Sequence, residues 1–75
     1  MITGCQIRQA RRLLGWKAGQ LARAAGVREQ AIERAERTDG EPAITLAHAL
    51  AIRTRLEAAG IEFLDRQTPA VRLRR

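Results

Sequence analysis

Four side chains within one short stretch, Arg28, Glu29, Gln30 and Arg34, have hydrogen-bonding edges that match those of nucleic-acid bases. The Gln30 carboxamide donates and accepts at once and fits the N6/N7 edge of adenine. The guanidinium forks of Arg28 or Arg34 fit O6 and N7 of guanine, and the Glu29 carboxylate accepts from the amino group of cytosine. Each well-formed pair discriminates against a wrong base by about 1–3 kcal/mol. The same residues are also the ordinary material of a solvated helix face, and Glu29 and Glu33 suit i,i+3 or i,i+4 pairing with neighbouring arginines.

Other chemistry has little to work with. Serine is absent, the only histidine (His48) and the only cysteine (Cys5) are far apart, and no glycine-rich phosphate loop is present. None of the acids forms a recognisable general acid/base pair. His48 has no Cys, His or carboxylate at ligand spacing, and Cys5, though near a helix start, reads as an unreactive thiol. We expect no enzyme, no metal site and no cofactor.

The elements that must position the base-matching residues are legible around Gly26. Leu21, Ala22 and Ala25 make one apolar stripe at helical spacing, and Val27, Ala31, Ile32 and Ala35 make a second directly after the glycine. Two helices so closely joined must cross steeply, which is the geometry of a helix-turn-helix whose second helix is presented to the major groove. Upstream, Lys17 precedes the first of these helices, where a cation and free N–H groups hold a phosphate.

The remaining elements follow in the same way. Thr3 and Gln6 are spaced for a capping box, so a first helix runs over residues 4–14, buries Ile7, Ala10, Leu13 and Leu14, and stops at Gly15. The next two helices cover about 18–25 and 29–37. Trp16 is expected between the first two. Thr38-Asp39-Gly40-Glu41-Pro42 reads as a loop, and a fourth helix over 44–59 buries Ala49, Ile52, Leu56 and Ala59, with Leu46 and Leu50 widening the stripe, up to Gly60. Beyond it, Ile61 and Phe63 flank Glu62, and Val71 and Leu73 flank Arg72, an alternation that predicts two short strands with Glu62 opposite Arg72 or Arg74. The expected division is a helical domain over residues 1–60 and a strand pair over 61–75.

Composition agrees with a small helical protein. The chain has 75 residues, two aromatics and a net charge of +6. One cysteine makes no internal disulfide, no apolar run approaches the roughly 20 residues of a membrane span, and no secretory signal opens the sequence, so a cytoplasmic location is expected. Positive charge favours polyanionic partners. It is unevenly placed: residues 1–28 carry Arg8, Arg11, Arg12, Lys17, Arg23 and Arg28 without an acid, whereas Glu29, Glu33, Glu36, Asp39 and Glu41 crowd the following stretch.

These residues together resemble the Cro/repressor-type, XRE-like helix-turn-helix family and its small bacterial members with a C-terminal strand pair. The resemblance rests on Ile7-Arg8-x-Ala10-Arg11-x-x-Leu14-Gly15-Trp16, Leu21-Ala22-x-x-Ala25-Gly26-Val27, Ile32-x-x-x-Glu36, and the tail from Leu56 through Phe63 with Val71-Arg72-Leu73-Arg74. It implies a mainly α, four-to-five-helix lambda-repressor-like domain with a short β-hairpin. It implies base contacts from Arg28, Glu29, Gln30 and Arg34, and phosphate contacts at Lys17, Ala18, Gln20, Ala31 and Arg37. It also implies a structural ion pair between Arg11 and Glu36.

The expected function is therefore a sequence-specific, double-stranded DNA-binding transcriptional repressor. The tail either leans on the helices of its own chain or extends a sheet with a second copy. The second is favoured, because reading two half-sites about 34 Å apart calls for a two-fold axis, and it makes Ile61, Phe63, Val71 and Leu73 the homodimer contacts. The competing class is a non-catalytic protein-interaction module, antitoxin-like or an accessory partner, on an eroded scaffold. Its support is that Lys17, Ala18, Arg28 and Ala31 stand where relatives carry small polar residues or glutamine, and that the third helix and its following loop are acidic.

Overall fold

A computed structural model of the chain describes residues 2–38, 40, 44–64 and 71–74. Four helices, α1 (Gly4–Leu14), α2 (Ala18–Ala25), α3 (Glu29–Glu36) and α4 (Leu46–Ala58), precede two strands, β1 (Ile61–Phe63) and β2 (Val71–Leu73). The mainly α architecture with a C-terminal antiparallel strand pair is the expected one. Asp39, Glu41 and Pro42 of the expected loop, and Arg75, lie outside the described residues.

Local chemistry explains most boundaries. The Thr3 hydroxyl accepts from the Gln6 N–H at 3.1 Å while the Gln6 carboxamide oxygen accepts from the Thr3 N–H at 2.9 Å, which closes the capping box of α1. Gly15 and Gly26 end α1 and α2 at φ 70° and 73°. The next N–H groups, of Trp16 and Val27, then fold back to the carbonyls of Arg11 and Ala22 at 3.0 and 2.9 Å. α4 starts later than residue 44 because Thr45 is its cap, the hydroxyl accepting from the His48 N–H at 3.1 Å.

The core gathers Ile7 and Ala10 from α1, Leu21 and Ala22 from α2, Ile32 and Ala35 from α3, and Ile52 and Leu56 from α4, closed by Ile2 and Ile61. Three expected core residues are exposed instead, and Ala59, the C-cap of α4, is only half-buried. Leu13 is 46% exposed, Leu46 60% and Leu50 50%. At about 100° per residue, Leu46 and Leu50 fall well off the arc set by Ala49, Ile52 and Leu56, and Leu13 lies beside the Ile7–Ala10–Leu14 line rather than on it.

The strand pair is registered Ile61↔Leu73, Glu62↔Arg72 and Phe63↔Val71. Its apolar residues therefore share one face, packed on α1 and α4 of the same chain. On the other face the Glu62 carboxylate accepts from Arg72 Nε at 2.5 Å. The Arg53 guanidinium stands 5.2 Å from the Phe63 ring centroid and ties α4 to β1. Ile61, expected at a dimer contact, is spent on its own core at 2% exposure.

The start of α1 meets the end of α3 at very close range. The Gly4 N–H donates to the Gly40 carbonyl at 2.8 Å. A Cβ at Gly4 would collide with the carbonyl oxygens of Ala35 and Thr38. Position 4 therefore admits only glycine at this backbone separation.

Candidate nucleic-acid interface

α3 divides cleanly between core and surface. Ile32 and Ala35 are buried, while Arg28, Glu29, Gln30, Glu33 and Arg34 are exposed. Its inner side is fixed by α1. Arg11 Nε and Nη2 donate to the two Glu36 carboxylate oxygens at 2.8 Å each, and Arg8 Nη1 donates to the Glu36 carbonyl at 2.6 Å. Those bonds to Glu36 raise the Arg11 pKa above its ordinary value, against a smaller opposing effect of burial. With the last turn of α3 held in this way, its outward face has one orientation.

That face borders a groove. Arg28, Gln30, Ala31 and Arg34 line it from α3 and its cap, Gly26 and Val27 from the turn, and Ile44, Thr45 and His48 from the start of α4. Among the described residues no carboxylate lines it. Arg28 and Arg34 therefore set a positive rim around the Gln30 carboxamide, which is free to offer both its donor and its acceptor.

Glu29 does not join this groove. It lines a separate recess with Lys17, Gly19, Gln20 and Arg23, so the base-matching quartet is split into three residues on one side and a carboxylate on the other. Within the recess the Gln20 carboxamide oxygen accepts from the Lys17 N–H at 2.7 Å. Lys17 supplies no side-chain acceptor to the helix. The Gln20 N–H turns to the Lys17 carbonyl at 3.0 Å, and the Ala18 and Gly19 N–H groups of this first turn have no intrahelical acceptor. Ala18 itself packs against the core, Ala31 is half-buried at the floor of the groove, and Arg37 is exposed at the C-cap of α3.

Thr45 and His48 are groove residues that sequence reasoning did not assign. The available signal was the cap itself, since a threonine immediately before a helical run marks a start. Among the described residues no three His, Cys, Asp or Glu side chains come together as a metal site, and no helix is long and apolar enough to cross a membrane.

A family model described as helix-turn-helix matches residues 7–61, from Ile7 in α1 to Ile61 in β1. No curated protein and no solved structure matches the chain.

Proposed function

The chain belongs to the Cro/C1-type helix-turn-helix family of DNA-binding regulators, and from that premise we propose that it is a cytoplasmic repressor that reads a specific duplex sequence with α3 in the major groove. The observation that carries this reading is the groove in which Arg28, Gln30 and Arg34 stand together beside the start of α4, with no carboxylate lining it among the described residues. Gln30 is the adenine reader and Arg28 and Arg34 are guanine readers or phosphate clamps. Lys17, the N–H groups of Ala18 and Gly19, and Gln20, Ala31 and Arg37 follow the backbone.

Binding-site selection with the purified protein, followed by footprinting on the recovered duplexes, tests it. The expected result is one enriched sequence and protection that fades steeply as salt rises. No enrichment and no protection at low salt would remove the proposal and leave the protein-interaction module in its place. That alternative needs an acidic docking face. Of the acids of α3, Glu36 is bound by Arg11 and Glu29 lies in the recess beside Lys17 and Arg23, which leaves Glu33 as the exposed acid outside both.

The active species in this proposal is a homodimer on a palindromic operator. Each strand of the pair has one edge without a strand partner among the described residues, and Phe63, Val71 and Leu73 remain half-buried rather than enclosed. Joining two such edges extends the sheet across the two-fold axis. Sedimentation velocity over a wide concentration range checks this: a monomer at every concentration, with and without operator duplex, overturns it.

A further inference from the structure

The Glu29 side chain turns away from the base-reading groove and lies over the first turn of α2. A Cβ built on Gly19 would stand 3.3 Å from its Oε1, 3.6 Å from its Cδ and 4.0 Å from its Oε2, so the carboxylate rests against the bare backbone of Gly19. Any larger residue at position 19 would crowd it. Lys17 and Arg23 share the recess, yet among the described residues neither forms an ion pair with Glu29.

The first turn of α2 attracts anions for reasons independent of Glu29. Lys17 caps nothing with its side chain, the Ala18 and Gly19 N–H groups lack intrahelical acceptors, and the helix dipole adds partial positive charge at this end. The carboxylate is therefore a negative charge resident where a second negative charge has reason to bind.

We propose that Glu29 is an electrostatic guard on the phosphate-contacting turn of α2 rather than a base reader. This rests on the DNA-reading role of α3 given above. A backbone phosphate drawn to the N–H groups and cations of this turn enters the recess in which the carboxylate lies, so docking requires the carboxylate to swing out or to tolerate the repulsion. The penalty is the same for every sequence, because it is exacted at the sugar-phosphate backbone and not at a base edge. Its effect is to weaken attachment to duplex DNA uniformly while leaving base discrimination to Arg28, Gln30 and Arg34. Gly19 is the positioning residue, since its missing side chain leaves room for the carboxylate.

Fluorescence-anisotropy titrations test this with the full chain, a random-sequence duplex and a duplex recovered by selection, each at several salt concentrations. Glu29→Gln and Glu29→Ala are expected to bind both duplexes about three- to tenfold tighter. The slope of log affinity against log salt should steepen by about one, the signature of one more neutralised phosphate. Gly19→Ala displaces the flexible carboxylate, so its effect on affinity is expected to be more favourable in the wild-type background than in Glu29→Gln, which has no carboxylate to displace. An unchanged affinity and slope overturn the proposal. So does a loss confined to duplexes that carry cytosine at one position, which makes Glu29 a base reader. If neither the wild-type chain nor any variant binds a duplex at low salt, the DNA-reading role of α3 falls and the guard falls with it.

Discussion

Arg11 and Glu36 meet edge to edge, two N–H donors on two carboxylate oxygens at 2.8 Å each, and so fasten the middle of α1 to the last residue of α3. Arg11 Nη1 also donates to the Trp16 carbonyl at 3.0 Å, so the same guanidinium anchors the turn into α2. The Glu36 side chain is only 11% exposed. Removing its partner leaves a largely desolvated charge, which costs more than the pair itself contributes.

Arg11→Ala is therefore expected to lower stability by about 2–3 kcal/mol. For a chain of this size that shifts the thermal midpoint by on the order of 10 °C. Arg11→Lys recovers only part, because an ammonium offers a point charge in place of the fork. Thermal unfolding followed by circular dichroism checks both, and an Arg11→Ala midpoint within 2–3 °C of wild type, about what half a kcal/mol produces, contradicts the assigned role.

Glycine-to-alanine changes should separate two kinds of glycine. At Gly26 a Cβ meets nothing within 4 Å, so the cost is the left-handed backbone alone, about 1 kcal/mol. At Gly4 the Cβ strikes the Ala35 and Thr38 carbonyls, and α1 must move off α3. We expect Gly4→Ala to lose at least about 2–3 kcal/mol, or the fold. Urea midpoints rank the two, and equal midpoints are inconsistent with the close approach.

Base and backbone contacts should come apart by mutation. Gln30→Ala relaxes preference at one operator position by about 1–3 kcal/mol and leaves other positions intact. Lys17→Ala weakens every duplex alike and reduces the salt slope by about one. Repeating the binding-site selection with each variant distinguishes them. The assignments fail if Lys17→Ala alters the selected sequence or Gln30→Ala does not.

The strand pair should prove integral to the monomer. Ile61 is fully enclosed with Ile52 and Leu56 in the same core, so Ile61→Ala is expected to cost about 2–4 kcal/mol. Chemical denaturation measures it. A change under 1 kcal/mol would mean that the tail packs more loosely than its burial implies.

The legible parts of this protein are those decided by residues close in sequence. Thr3 and Gln6 form their box three residues apart, Gly15 and Gly26 terminate helices through their own φ angles, and the alternation around Glu62 and Arg72 sets the strand faces, so neighbours alone carried that information. The family pattern added where α3 stands, since the apolar positions that bury it recur at fixed spacing. What only the tertiary structure decided depends on chain segments far apart in sequence. The collision at Gly4 comes from carbonyls more than thirty residues away, while the Arg11–Glu36 pair, 25 positions apart, was legible only through the family resemblance. Leu46 and Leu50 are exposed because no element among the described residues covers that side of α4, and helical spacing cannot report which arc of an apolar helix its neighbours will cover. The division of the quartet is of the same kind. Arg28, Gln30 and Arg34 face α4 and Glu29 faces Gly19 because the crossing of α2 and α3 puts a bare backbone within reach of one side chain only, and nothing in the order of those four residues encodes that crossing.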